Sequence, residues 1–524
     1  MSQTPAIPTS AMPPQRAGLA DWLAVFAGTL GALMALLDTS IINSSLPVIQ
    51  GEIGATPSEG TWIGTAYLVA EIVAIPLTGW LERMLGMRIL LLGASLFFTL
   101  FSVLCGFSTS LTMMILGRIG QGLAGGMLIP TGMTIVATRL PPAQQSAGLA
   151  LVAVSAFLGP AIGPVIGGWL TENVSWHYAF FMNVPISVMQ IGLLILGVKG
   201  SKVNWRELRG ADWLGIFGLM MGLGGLTTLL EKGHGEEWFE STLIWQLAGL
   251  SGLGFALMIW GQFAAVRPVV RLNLLRNRAL SSALAIMTIV GMLLFCTLYN
   301  APQFLAAVAG YNALQAGQVT AIAGLISIPL AFCFPFVIAQ MDLRLLVFVA
   351  LLLLSLGNYV LCTLTSASSG GDFTLSQLII GVGVTFSALP LQQSIMTAVP
   401  VADSAEANSL LAVARNLGGS IGLAGVAGFQ EVRFDFHRWT LHALIPANGG
   451  EVQGQMTQMG MLFGGGADGA EMAGRMIDGQ IAIQALVMTF DDMFLTFAWI
   501  ALVFAPLAFL LRPLPRGAAV VMGH

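Results

Sequence analysis

Charge is what this chain has least of. Asp, Glu, Lys and Arg make up 9% of its 524 residues, against about 25% in an ordinary soluble domain. Hydrophobic residues reach 56% and the mean hydropathy is +0.83. This excludes a soluble globular domain and indicates an all-α, polytopic membrane protein. Cysteine is equally sparse. The four, Cys105, Cys296, Cys333 and Cys362, all fall inside apolar runs, so no disulfide framework is expected. Histidine occurs five times without metal-ligand spacing, and no metal site is expected. Neither H-E-x-x-H nor G-x-x-x-x-G-K-[ST] occurs, which excludes the chemistry those motifs carry. The net charge of −4 is spread over loops, with no basic patch for nucleic acid. No nucleophile or metal cluster lies at membrane depth, so an enzyme is not expected. An ion gradient, with no bound cofactor, remains as the expected source of energy.

What is present is a series of fourteen apolar runs, each long enough to cross a bilayer. The first covers 23–46 and the last two 408–430 and 491–511. Residues 1–20, rich in Pro, Ser and Ala, are expected to form a disordered cytoplasmic N-terminus. With the N-terminus inside, most Lys and Arg residues fall on inner segments, including Arg83, Arg88, Arg139, Lys199, Arg271 and Arg344. That asymmetry predicts both termini in the cytoplasm.

The two ends of the chain resemble each other at a lag near 256–260. Met87 to Leu91 matches Leu343 to Val347, Pro130 matches Pro390, and Gly159 and Gly163 match Gly418 and Gly422. This predicts a six-helix half over 21–200, two inserted helices over 201–270, and a second six-helix half over 271–524. Residues 431–485 are expected to be an outer loop, with a helix over 477–486 leading into the last span. The pair Asp491-Asp492 is expected to mark that span's start.

Four ionisable residues interrupt the apolar runs at similar depth: Asp38, Glu71, Arg118 and Arg415. A carboxylate at the bilayer centre costs about 2.5–3.5 kcal/mol on insertion scales, so all four are expected to line one central, partly hydrated cavity. The alternatives are a static Asp38–Arg118 brace, a hydrogen-bonded structural acid at Glu71 and a helix-capping contact at Arg415. Asp38 and Glu71 are the candidate proton-coupling carboxylates. Arg118, which does not titrate, tunes Asp38, and Asn43 and Arg415 are assigned to the cavity wall. The fifth run holds Gly159, Pro160, Gly163, Pro164, Gly167 and Gly168. That density of small and bending residues suits a closely packed helix between two halves that rock.

These residues carry a resemblance that covers nearly the whole chain. Leu37 to Ile49, with Asp38 at the acidic position, is similar to the first-span signature of the fourteen-span drug:proton antiporters (DHA2). These are major facilitator transporters of the EmrB/QacA type. Arg118-Ile119-Gly120-Gln121-Gly122 resembles that family's fourth-span motif, Gly159 through Gly168 its antiporter motif, and Arg415 through Ser420 its thirteenth span. The loop after the second span departs from the family's G-x-L-a-D-r-x-G-r-k. It reads Gly79-Trp80-Leu81-Glu82-Arg83-Met84-Leu85-Gly86-Met87-Arg88, with Arg83 at the Asp position, so the inner-gate charge network is expected to differ or to be weaker.

The resemblance implies a major facilitator fold of fourteen transmembrane helices and proton-coupled export of small lipophilic or amphiphilic compounds, that is, multidrug efflux. The alternative is export of one anionic metabolite, such as a fatty acid or siderophore. The implied setting is the bacterial inner membrane and its lipid. The implied partners are a periplasmic adaptor protein and an outer-membrane channel, with 431–485 as the available contact.

Overall fold

A hydrocarbon layer of about 30 Å asks roughly 20 helical residues of each span. In the computed structural model fourteen helices meet that requirement, and the chain is a multi-pass membrane protein. Residues 16–200, 203–265, 268–444, 454, 457–459, 461–462 and 466–512 are described, and all regular secondary structure among them is helical. The first six spans are α1 (Leu19–Ile53), α2 (Pro57–Leu85), α3 (Met87–Gly106), α4 (Leu111–Arg139), α5 (Pro142–Asn173) and α6 (His177–Gly197). Then come α7 (Trp213–Lys232), α8 (Thr242–Ala264), α9 (Arg278–Ala307), α10 (Ala313–Gln340) and α11 (Leu343–Val360). The last are α12 (Gly370–Ala398), α13 (Ser404–Leu444) and α14 (Gly466–Phe504). An even number of spans returns the chain to the face where α1 begins, called here the N-face.

Local chemistry sets the helix ends. Thr56 and Glu59 form a reciprocal capping box at the start of α2, while Asp212 and Asp342 accept from the first turns of α7 and α11. These bonds occupy donors that a helix terminus otherwise leaves unpaired. Between α2 and α3 the chain turns on Gly86 alone, at φ 77°, a conformation that favours glycine.

The spans pack as two bundles with the same pattern of neighbours. In the first, α1 lies on α5 and α2 on α4; in the second, α9 lies on α13 and α10 on α12. Two seams join the bundles, α5 against α10 and α2 against α13. The hairpin of α7 and α8 sits outside both, with α7 resting on α2 and α13. Its outer helix α8 is the least enclosed span, 17% buried, and α4 the most enclosed, 83% buried.

Several expected boundaries differ. The helix begins at Leu19, and the Ala17 N–H donates to Gln144 Oε1 at 3.0 Å, so an N-terminal tail does not extend to residue 20; residues 1–15 lie outside the described residues. The expected loop 431–485 is helical at both ends. α13 runs on to Leu444 and α14 begins at Gly466, which takes in the helix expected over 477–486. Residues 464 and 465 of the Gly-rich patch lie outside the described residues. α13 and α14, of 41 and 39 residues, are about 60 Å long, so each overshoots the membrane by about 30 Å. Asp491 and Asp492 therefore lie deep within α14 and mark no helix start. Asp492 meets Arg433 Nη2 at 2.5 Å and His437 Nε2 at 2.6 Å, and Asp491 accepts the Leu364 N–H at 3.2 Å.

Helix contact in lipid depends on close backbone approach. On α4, Gly126 faces the Glu71 carbonyl of α2, where a Cβ would lie 2.5 Å from the oxygen, and Gly122 faces the Tyr67 carbonyl still more tightly. Gly122→Leu is expected to lose most of the folded protein in detergent, because overpacking a crossing costs about 1–3 kcal/mol or more. Gly192→Leu, where nothing lies within 4 Å, should leave the monodisperse peak and melting temperature unchanged. Fluorescence-detected size exclusion reads both.

Candidate functional site

Four helices converge on the Asp38 carboxylate. Its Oδ2 receives Arg118 Nη1 of α4 at 2.5 Å. Its Oδ1 accepts from Asn183 Nδ2 of α6 at 2.7 Å and from Gln121 Nε2 at 3.0 Å. Both amides also donate to Ser102 Oγ of α3, at 3.1 and 2.8 Å. Arg118 donates further to the Ile63 carbonyl and to Gln121 Oε1, each at 3.1 Å, and its Cζ lies 4.2 Å from the centroid of the Tyr67 ring. None of these five polar side chains belongs to a residue more than 1% exposed. The network is saturated and dry, as a buried ion pair requires.

The central cavity is elsewhere. It encloses about 1150 Å³, part of it open to solvent, and draws its walls from α1, α4 and α5 of one bundle and α9, α10, α12 and α13 of the other. The lining is mostly apolar, with Met133, Phe157 and Leu294 among it. Gln377, Gln392 and Thr320 supply polar groups, and Arg415 is the charged residue on the wall. The expectation that four ionisable groups share this cavity is therefore corrected. On α1 the wall is made by Ala32 and Leu36. Asp38 follows Leu36 by two residues, about 200° around the helix, and faces the bundle interior. Direction around the helix, not position along it, separates Asp38 from the cavity wall.

Glu71 lies between the two sites. It is buried at 6% exposure, four residues beyond Tyr67 on α2. No side-chain hydrogen bond or ion pair within 4.0 Å reaches it among the described residues, and the cations whose fields act on it are Arg415 and Arg118. Arg415 is not a helix cap: it sits within α13, and its Nε donates to Asn416 Oδ1 over a long 3.4 Å. The order Asp38, Arg118, Glu71, Arg415 alternates in sign and crosses the seam between α2 and α13. Asn43 lies within α1, but its side chain lies outside the described residues.

The fifth-span motif occupies the other seam. Gly159 and Gly163 face α1, where a Cβ would lie 2.9 Å from Leu36 Cβ and 2.5 Å from Ser40 Cβ. On its other side α5 meets α10: a Cβ on Gly317 would lie 2.8 Å from Pro164, and Gly168 faces Leu314. Pro160 lines the cavity, and the Gly167 carbonyl faces Ser45 Oγ at 3.5 Å. The helix is unbroken through both prolines.

The loop after α2 reaches the second bundle. Arg83 Nη1 lies 3.5 Å from Glu406 Oε2 at the start of α13, and Gly79 lets the backbone of Glu406 approach. Glu82 keeps one buried oxygen without a hydrogen-bond partner among the described residues, and Arg88 lies near Gly200. A charge pair is thus present at this position, with a cation, Arg83, where the family pattern has Asp and Glu406 as its partner. Sequence reading missed Glu406, Asn183, Ser102 and Tyr67, whose positions in long apolar or mixed runs give no local signal; Gln121 stood inside the quoted motif and was a usable one.

Residues 28–423 match the Major Facilitator Superfamily. The chain is 31% identical over 499 residues to the Multidrug export protein EmrB of Escherichia coli, covering 94% of this chain and 95% of that one. It is 32% identical over 406 residues to the Colistin resistance protein EmrB of Acinetobacter baumannii, covering 76% and 78%. To the Fatty acid resistance protein FarB of Neisseria gonorrhoeae it is 29% identical over 514 residues, covering 96% and 98%. The crystal structure of the human organic anion transporter MFSD10 superposes with a TM-score of 0.59 at 16% identity, covering 94% of this chain and all of that one, a likeness of fold.

Removing one partner of a buried pair strands the other charge at about 3–5 kcal/mol. Asp38→Ala should therefore lower the melting temperature in detergent strongly, and Asp38→Ala/Arg118→Met should recover much of the loss. A double variant less stable than Asp38→Ala would contradict the sealed-pair account.

Proposed function

The chain belongs to the Major Facilitator Superfamily, in its EmrB-type branch, and on that footing we propose that it is a proton-coupled antiporter exporting small lipophilic or amphiphilic compounds. The observation that carries this reading is a largely apolar cavity walled by both bundles, with Arg415 on its wall and Glu71 buried within the reach of that charge. An apolar lining accepts many compounds of similar polarity and selects weakly among them, which fits a multidrug exporter and the names of the EmrB relatives, multidrug export and colistin resistance proteins.

Glu71 is the proton carrier in this proposal. A proton on its carboxyl removes the charge that faces Arg415, and loss of the proton restores it. The seam it bridges is one along which two bundles move, so protonation and bundle position are linked. Asp38 and Arg118 serve as a fixed pair that holds α1, α4 and α6. The excess of Lys and Arg on the N-face makes it the cytoplasmic face, with both termini inside and the protein in the bacterial inner membrane.

A second reading, export of an anionic metabolite such as a fatty acid, draws on Arg415 at the cavity wall and on the resemblance to FarB. A panel of cationic, neutral and anionic compounds in proteoliposomes separates the two. Broad uptake favours the first reading; uptake confined to amphipathic anions favours the second.

Proteoliposomes with an imposed pH gradient also test the coupling. Glu71→Gln is expected to abolish gradient-driven transport while keeping substrate–substrate exchange. Full gradient-driven transport by this variant would remove Glu71 from the mechanism.

The projecting ends of α13 and α14 are the proposed contact for a periplasmic adaptor, itself joined to an outer-membrane channel. Val432, Phe436 and Trp439 are exposed at helical spacing on α13, an apolar stripe outside the membrane. Phe436→Ser/Trp439→Ser should reduce resistance in cells and leave proteoliposome transport intact. Equal loss in both assays would assign the stripe to transport and remove it as a docking surface.

A further inference from the structure

Arg271 carries a charge from the inserted segment to the gate. It lies on the segment that joins α8 to α9. Its Nη1 pairs with Asp403 Oδ1 at 2.6 Å and its Nε approaches Glu406 Oε2 at 3.4 Å. Its backbone N–H donates to Glu406 Oε1. The same segment is tied to the hairpin itself: the Val269 N–H donates to Asp212 Oδ2 at 3.4 Å, and Gln262 Nε2 donates to the Val270 carbonyl at 2.8 Å. Asp212 caps α7 through the Gly215 N–H. Val269 and Val270 pack with Ile216, Leu219, Trp80 and Met84 into one apolar cluster that spans α7 and α2.

Glu406 thus has two kinds of partner. Arg83 comes from the last turn of α2, across the seam, at 3.5 Å. Arg271 approaches it through both backbone and side chain. Helix ends reinforce the arrangement, because an acid in the first turn of α13 and a base in the last turn of α2 each complement the local backbone dipole. The Glu406 side chain is 4% exposed, so an uncompensated charge there would be costly. If α2 withdraws from α13, the Arg83 contact breaks and Arg271 remains.

We propose that Arg271 is a positioning residue of the N-face gate: it holds the Glu406 carboxylate in place for Arg83 and so stabilises the closed gate. The inserted helices thereby act on the gate, since the segment that carries Arg271 is bonded to both of them. The proposal rests on the alternating-access transporter reading, yet its test needs neither substrate nor gradient.

The test measures labelling of a cavity-wall reporter by a membrane-impermeant maleimide added from the N-face in oriented vesicles. The reporter is Met133→Cys, in a background with the native cysteines replaced by Ser. Arg83→Ala and Arg271→Ala are each expected to raise the labelling rate roughly two- to fivefold, the range of a partly exposed ion pair. Arg271→Lys should restore part of the effect. In the Glu406→Gln background Arg83→Ala should add nothing, and Arg271→Ala should lose most of its effect, the remainder coming from its pair with Asp403. Unchanged labelling in Arg271→Ala, or an increase that persists undiminished beside Glu406→Gln, would overturn the proposal. A general loss of packing would instead lower the melting temperature and raise labelling in every background. Failure of the proton-coupling reading would leave these rates untouched and appear only in the transport assay.

Discussion

A charge inside a bilayer must find its opposite, and this requirement organises the bundle more than any apolar contact does. Lipid offers helices no hydrophobic reason to associate, whereas an unpaired carboxylate or guanidinium at depth is costly. Asp38 therefore draws α3, α4 and α6 around α1 through Arg118, Ser102, Gln121 and Asn183. The glycines at the α2–α4 crossing let the backbones come close enough for Arg118 to donate to the Ile63 carbonyl and lie over Tyr67. Once that pair is sealed, Glu71 is left to face Arg415 across the seam.

The two seams divide the remaining work. At α5 and α10 the contact is steric, between Pro164 and Gly317 and between Ala161 and Gly324. At α2 and α13 it is electrostatic as well, with Arg83 meeting Glu406. The inserted hairpin lies only against the second, which makes the bundle asymmetric despite its repeated pattern of neighbours. Its outer helix α8 exposes Trp245, Leu253, Trp260 and Phe263, the surface expected where a helix meets acyl chains.

Much of this was legible in the amino-acid order, for identifiable reasons. Span number follows from apolar length, and the lag between Pro130 and Pro390 reflects repeated construction. Ion pairing of Asp38 with Arg118 is legible in their matching positions along α1 and α4. Direction around a helix axis was the quantity that depth alone did not supply: two residues separate a cavity-lining Leu36 from a sealed Asp38. Asp491-Asp492 misled because an acidic pair beside an apolar run looks like a helix start. The true start lies at Gly466, in a polar stretch that pairs with α13 through Arg438–Asp478 and His442–Asp478. Reversal of sign at Arg83 was visible, but its partner at Glu406 lies more than three hundred residues away and only folding brings them together.

α13 runs without interruption from Ser404 to Leu444. It carries Glu406 near one tip, Arg415 at the chamber wall and Trp439 near the other tip. A rod of that length converts a tilt of a few degrees into displacements of several ångströms at its ends. Whatever grips the outer tip therefore has a lever whose short arm ends at the latch on the opposite side of the bilayer.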